Sequence, residues 1–107
     1  TALVAAMVLG CAGGSDGEPA GIVRYLVTST CTTDIDYRAA NNLFLNDQDV
    51  ASGWEFKFAA EEKDVLFISA TLNCDGTVTV DIFKDGRKFK TNTASGLEAT
   101  ATAEGRF

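Results

Sequence analysis

Histidine is missing from the chain altogether. Its absence removes the commonest general base at neutral pH, the commonest zinc ligand and every triad built on an imidazole. Basic residues are scarce: nine Lys and Arg stand against fifteen Asp and Glu, for a net charge of −6. No basic stripe exists to displace counterions from phosphates, which argues against nucleic acid as a partner. No Gly-rich phosphate loop precedes a helix, and no Ser-x-x-Lys motif activates the many Ser and Thr hydroxyls. Proline occurs once, and no convincing amphipathic helix can be drawn. What the 107 residues do hold is enough apolar material, 46% of the chain, for one packed domain. Ten glycines and many Thr and Val lean that domain towards strands.

The clearest local signal is residues 76–93. Two alternating runs flank Asp85-Gly86, a dipeptide that accepts the positive φ values of a two-residue hairpin turn. A turn there sets Lys84 against Arg87, Phe83 against Lys88, Ile82 against Phe89, Asp81 against Lys90 and Val80 against Thr91. Val80, Ile82 and Phe89 then share an apolar face, while Asp81 pairs with Lys90 on a wet one. Arg87, Lys88 and Lys90 read as a solvated edge that discourages strand-to-strand association.

Residues 1–10 are uncharged and almost wholly apolar. They are too few for a membrane-spanning helix, which takes about 20 residues, but they match the apolar core of a signal peptide. With neither an initiator Met nor basic residues ahead of them, further residues are expected upstream. Val8-Leu9-Gly10-Cys11 resembles the bacterial lipoprotein signal box, in which a peptidase cuts before the Cys and its sulfur carries diacylglycerol. The alternative leaves Cys11 as an ordinary residue of an uncleaved arm. Residues 12–21 have the Gly/Ser/acidic composition of a flexible tether. The expected organisation is a signal segment over 1–10, a lipidated Cys11 with linker over 11–21, and a folded domain over 22–107. Ala12 stands where the inner-membrane retention signal of enteric bacteria has Asp, which favours the outer membrane or the cell surface.

Within the domain, Ile22–Thr30 is a long extended run. Asp34–Arg38 alternates, with Ile35 and Tyr37 inward and the charges outward. Ala39–Gly53 reads as turns around a short Leu43-Phe44-Leu45 insertion. Trp54–Phe58 puts three aromatics on one face and Glu55 and Lys57 on the other. Val65–Asn73 follows, then the hairpin. Ala94-Ser95-Gly96 reads as a turn before a last strand, Leu97–Ala103, with Leu97, Ala99, Ala101 and Ala103 on one side. About seven short strands and no helix predict an all-β fold, an antiparallel sandwich. Cys31, Trp54 and Cys74 follow the immunoglobulin order, but the cysteines are too close in sequence and Leu72 stands where that fold has its Tyr. The prediction is therefore immunoglobulin-like in architecture only.

With Cys11 lipidated, Cys31 and Cys74 remain, and an even pair in an oxidising compartment suggests a disulfide. The alternative is two unconnected thiols. Two cysteines without histidine do not make a zinc site.

Several segments together are similar to the MmpS-like family of small, membrane-attached actinobacterial proteins, which has relatives among bacterial lipoproteins. They are Val23–Thr28, Asp34–Tyr37, Gly53–Phe58, Leu66–Ala70, Gly76–Phe83, Asp85–Arg87 and Ala94–Gly96, in that order. The resemblance implies a β-sandwich exposed beyond the membrane, and some members act beside export pumps for lipids and siderophores. The family type is anchored by a transmembrane helix, whereas this chain reads as lipidated. No catalytic residue is carried over.

Other candidates reduce to ordinary roles. Asp34 with Asp36, and Glu98 with Glu104, read as solvated faces and not as catalytic pairs. Asn46-Asp47-Gln48-Asp49, near Asn41 and Asn42, lacks the spacing of a calcium loop and reads as turn chemistry. Tyr25, Tyr37, Phe44 and Trp54 offer rings to a ligand, with Tyr37 and Trp54 more at home in a core. The expectation is a lipid-anchored, extracytoplasmic lipoprotein of the bacterial cell envelope. It acts as a non-catalytic binding or scaffolding module, without cofactor or metal, and its partners are the membrane and an envelope protein or transporter. The alternatives are an accessory subunit of an export transporter and a small enzyme or inhibitor.

Overall fold

A computed structural model describes residues 21–107. The expected signal segment, the expected lipidation site Cys11 and the expected tether up to residue 20 lie outside the described residues. Eight strands follow in order: β1 (Gly21–Ser29), β2 (Thr33–Arg38), β3 (Phe44–Val50), β4 (Trp54–Ala60), β5 (Val65–Leu72), β6 (Asp75–Lys84), β7 (Arg87–Leu97) and β8 (Thr100–Arg106). They form two antiparallel four-stranded sheets, β4-β1-β6-β7 and β3-β2-β5-β8. The all-β sandwich is thus as expected, with one strand more. Pairing β1 with β4 and β2 with β5 reproduces the B·E and C·F neighbours of an immunoglobulin frame. Here β6 occupies the place of strand A beside β1, and β8 that of strand G beside β5.

Period-2 alternation decides which side chains meet between the sheets. Val23, Tyr25 and Val27 from β1 and Val78, Val80 and Ile82 from β6 are fully buried against Ile35, Leu66, Ile68, Ala70, Leu72 and Ala101 of the other sheet. Trp54, Phe56 and Phe58 line the inner face of β4 but are only half-buried, because β4 is an edge strand. Each apolar side chain taken fully out of water contributes about 1.5–3 kcal/mol, so this inner layer carries the fold.

Three local expectations are corrected. Phe44–Val50, read as the end of a short insertion followed by turn residues, forms β3. Its outward Asn46 and Gln48 are exposed and its inward Asp47 is polar, so the edge strand shows no apolar alternation to read. Ala94-Ser95-Gly96 is the end of β7, whose partner Asp75–Thr77 carries the ladder past it. The chain turns at Glu98-Ala99 instead, where Glu98 takes a positive φ of 53° and donates its N–H to the Cys74 carbonyl. Leu97, expected inward, is 74% exposed, while Ala101 and Ala103 are buried as expected.

The third correction is the hairpin register. Lys84–Arg87 and Phe83–Lys88 pair as expected around the turn, with φ of 51° at Asp85 and 85° at Gly86. A bulge then follows, and Ile82 pairs with Lys90, Asp81 with Thr91 and Val80 with Asn92. Phe89 is the extra residue. Its ring packs over Gly105 of β8, where a Cβ would lie 2.8 Å from Phe89 Cε2. The half-buried ring thus fills the β7–β8 seam at the step where the ladder shifts.

Candidate functional site

Cys31 and Cys74 are bonded, with Cα atoms 6.5 Å apart. Cys31 lies in the β1–β2 connection and Cys74 in the β5–β6 connection, and both connections cross between the sheets. The bridge therefore ties two crossovers at one end of the sandwich. It is a structural clasp.

The aromatic candidates divide. Tyr25 is fully buried and spans the sheets: its hydroxyl donates to the Arg38 carbonyl and accepts the Phe67 N–H at 3.2 Å. The β2–β5 ladder reaches Tyr37–Ile68, so the hydroxyl sits where the next backbone bond would form. Burial pushes its pKa up to about 12, since an ionised phenol would lose its water without gaining a cation strong enough to replace it. Tyr37 packs edge-on against Trp54 and tilted against Phe56, with centroids 5.0 and 4.9 Å away. Asp47 caps this cluster, accepting from Trp54 Nε1 at 3.2 Å and from the Tyr37 hydroxyl at 3.4 Å. Burial, followed by the Asp47 charge, raises the Tyr37 pKa. Both tyrosines and Trp54 are thus structural, and Phe44 alone of the four is exposed, at 51%.

The carboxylate candidates are not brought together. Asp34 and Asp36 both point outward, as expected. Asp34 Oδ1 accepts the Asp49 N–H at 3.0 Å, and Asn73 Nδ2 donates to Asp49 Oδ1 at 3.1 Å, which fastens β3 to the β5–β6 connection. Glu98 lies in the β7–β8 turn and Glu104 in β8 near the opposite end. The Asn46–Asp49 run lies along β3, bulged at Asp49 with its positive φ of 56°, and Asp47 is turned inward while Asp49 is exposed and engaged with Asp34 and Asn73. Asp81, expected on a wet face, is only 6% exposed. The bulge takes Lys90 away from it, and Lys88 Nζ stands 3.7 Å from its Oδ1 instead.

A feature without any local signal emerges from the topology. The Gly21 end of the sandwich gathers the start of β1, the β2–β3 turn, the β4–β5 turn, the β6–β7 hairpin and the end of β8. All nine Lys and Arg residues lie level with Tyr25 or nearer this end. Asp34, Asp36, Asp47, Asp49, Glu55, Asp75, Asp81 and Glu98 lie in the other half, towards the disulfide, with no cation among the described residues there. The acidic residues sharing the Gly21 half are Glu61, Glu62, Asp64, Asp85 and Glu104. An acidic protein thus has one basic end.

Aromatic rings support the cations of that end. Arg24 lies 4.1 Å from the Phe83 centroid, and Lys84 lies 4.3 Å from Phe89 and 4.7 Å from Phe107. Such contacts hold a cation over the negative face of a ring without neutralising it. Among the described residues, only Arg24 with Glu55 and Lys88 with Asp81 form ion pairs within 4 Å. Asp85 is engaged with backbone, accepting the Ile22 N–H at 2.9 Å. Ile22, Leu43 and Phe44, three of the exposed large apolar residues, occur at the same end, at 50%, 57% and 51% exposure. Val8, Leu9, Gly10 and Cys11, expected to form a lipoprotein signal box, lie outside the described residues. Compared with known proteins, the chain matches no family model and no curated protein.

Proposed function

We propose that the protein is a lipid-anchored, extracytoplasmic lipoprotein whose β-sandwich acts as a non-catalytic binding or scaffolding module of a bacterial envelope. The observation that carries this reading is the order of parts: an apolar run, the Val8-Leu9-Gly10-Cys11 box, a Gly/Ser/acidic stretch, then the domain. The Cys31–Cys74 bond supports it, because structural disulfides belong to oxidising compartments outside the cytoplasm. The tyrosine hydroxyls and inward carboxylate support the non-catalytic part, since each is spent on joining strands. Cys11→Ala is expected to move the protein from the membrane fraction to the soluble fraction. Mass spectrometry of the wild-type N-terminal peptide is expected to show diacylglycerol on the Cys11 sulfur. A wild-type N-terminal peptide without lipid on Cys11 would refute the anchor.

A second reading, an accessory subunit of an export transporter, draws on the MmpS-like order of segments. Co-purification of a transporter with the membrane-held protein would support it. A lipoprotein recovered only as a free monomer would count against it.

A further inference from the structure

We propose that the Gly21 end of the sandwich is a docking face for an anionic phospholipid surface. The β6–β7 hairpin supplies the cations, and Ile22, Leu43 and Phe44 supply apolar contacts. The proposal rests on the reading that Cys11 carries a lipid, and it adds an orientation and a lipid preference to that reading.

Position is the first support. The domain starts at Gly21, the tenth residue after Cys11. Ten residues span at most about 35 Å when fully extended, and a Gly-rich chain of that length averages about 17 Å. A lipid on Cys11 therefore keeps the Gly21 end close to the bilayer. The disulfide end lies a strand length further out, about 36 Å for the eleven residues of β7.

Charge is the second support, and it comes from different residues. The half nearest the anchor holds every cation of the chain, and the half furthest away holds carboxylates alone among its described charged residues. A negative surface attracts the first and repels the second, so both halves favour one orientation. Lys84, Arg87 and Lys90 have no carboxylate within ion-pairing distance among the described residues, which leaves them free to meet phosphate oxygens. The acidic turn residues Glu61, Glu62 and Asp64 follow β4, the opposite edge of the sheet from β7, so the hairpin edge leads the contact. Exposed apolar side chains are the third support. Ile22, Leu43 and Phe44 are too scattered for a protein groove, but they suit shallow insertion between headgroups.

The test uses the chain from residue 11 onward carrying Cys11→Ser, so that neither a lipid nor the apolar segment 1–10 holds it, with phosphatidylcholine vesicles that contain or lack phosphatidylglycerol. Sedimentation is expected to show binding only with phosphatidylglycerol, weakening as salt rises. Each cation near such a surface contributes about five-fold. Lys84→Gln, Arg87→Gln and Lys90→Gln together are then expected to weaken binding about a hundredfold, while the protein stays folded at the temperature of the assay. Phe44→Ser is expected to weaken binding without changing its salt dependence. Equal binding to both vesicle types, no binding at low salt, or an unaffected triple variant would overturn the proposal. Complete release by millimolar inorganic phosphate at constant ionic strength would also overturn it, and would point to a site for a soluble anion. The anchor is judged separately. A Cys11 without lipid would remove the anchor and leave vesicle binding to stand, whereas a lipidated Cys11 without vesicle binding would remove the docking face alone.

Discussion

Replacing Tyr25 by Phe tests how the two sheets are joined. The ring is fully buried and Phe keeps its volume, so no cavity opens and the change isolates the hydroxyl. That hydroxyl bridges the Arg38 carbonyl and the Phe67 N–H. Two hydrogen bonds contribute about 1 kcal/mol each, and a part-buried donor left without its acceptor adds a desolvation cost, so the expected loss is about 2–3 kcal/mol. For a domain of this size the midpoint should fall by roughly 10–15 °C. Urea unfolding of the wild type and variant, compared at unchanged m-value, measures the loss directly. Alkaline pH supplies a second readout. Burial pushes the folded pKa of Tyr25 up to about 12, against 10.0 for an ordinary tyrosine, so above pH 10 the unfolded chain releases its proton while the folded chain keeps it. Stability from this group is complete below about pH 10 and is lost as pH rises towards 12, by about 2 kcal/mol. Tyr37 shifts in the same direction, so the informative quantity is the difference between variant and wild type at each pH. A loss below about 0.5 kcal/mol would mean that Arg38 and Phe67 pair directly once the hydroxyl is gone. An alkaline decline as steep in the variant as in the wild type would refute the assignment to Tyr25.

Two further changes probe the disulfide end. Cys31→Ser with Cys74→Ser opens a loop of sequence separation 43, and chain entropy sets the cost at about 4 kcal/mol in denaturant unfolding. A cost under about 1 kcal/mol would mean that the remaining contacts already hold the crossovers. Gly76→Ala places a Cβ 2.0 Å from Thr30 Oγ1, the acceptor of the Thr77 N–H at 3.0 Å. The expected cost is about 1–2 kcal/mol, and in a Thr30→Ala background it should shrink, since the two changes break the same contact. Strict additivity would refute that link.

Strand identity was readable wherever one face meets the core and the other meets water. Leu66, Ile68, Ala70 and Leu72 alternate with half-buried neighbours in sequence as they do in β5. The rule fails in β3, whose inward Asp47 owes its place to Trp54 and Tyr37 on other strands. It fails again at Phe89, where local symmetry around Asp85-Gly86 favours an even register and a distant glycine, Gly105, makes room for the bulge. The disulfide was legible as a pair of cysteines at strand ends. That it clasps two crossovers between opposing sheets depends on strand order, which the spacing does not encode.

The sequence by itself determined the all-β class and the inward faces of most strands, because these depend on neighbours a few residues apart. Only the tertiary structure decided that the cations form one end. Arg24, Arg38, Lys57, Lys63, Lys84 and Arg106 are spread along the chain, and no local pattern connects them. Antiparallel strands bring every second turn back to the same end, so distant residues at those turns become neighbours. A scattered minority of basic side chains thereby gathers in one half of the sandwich.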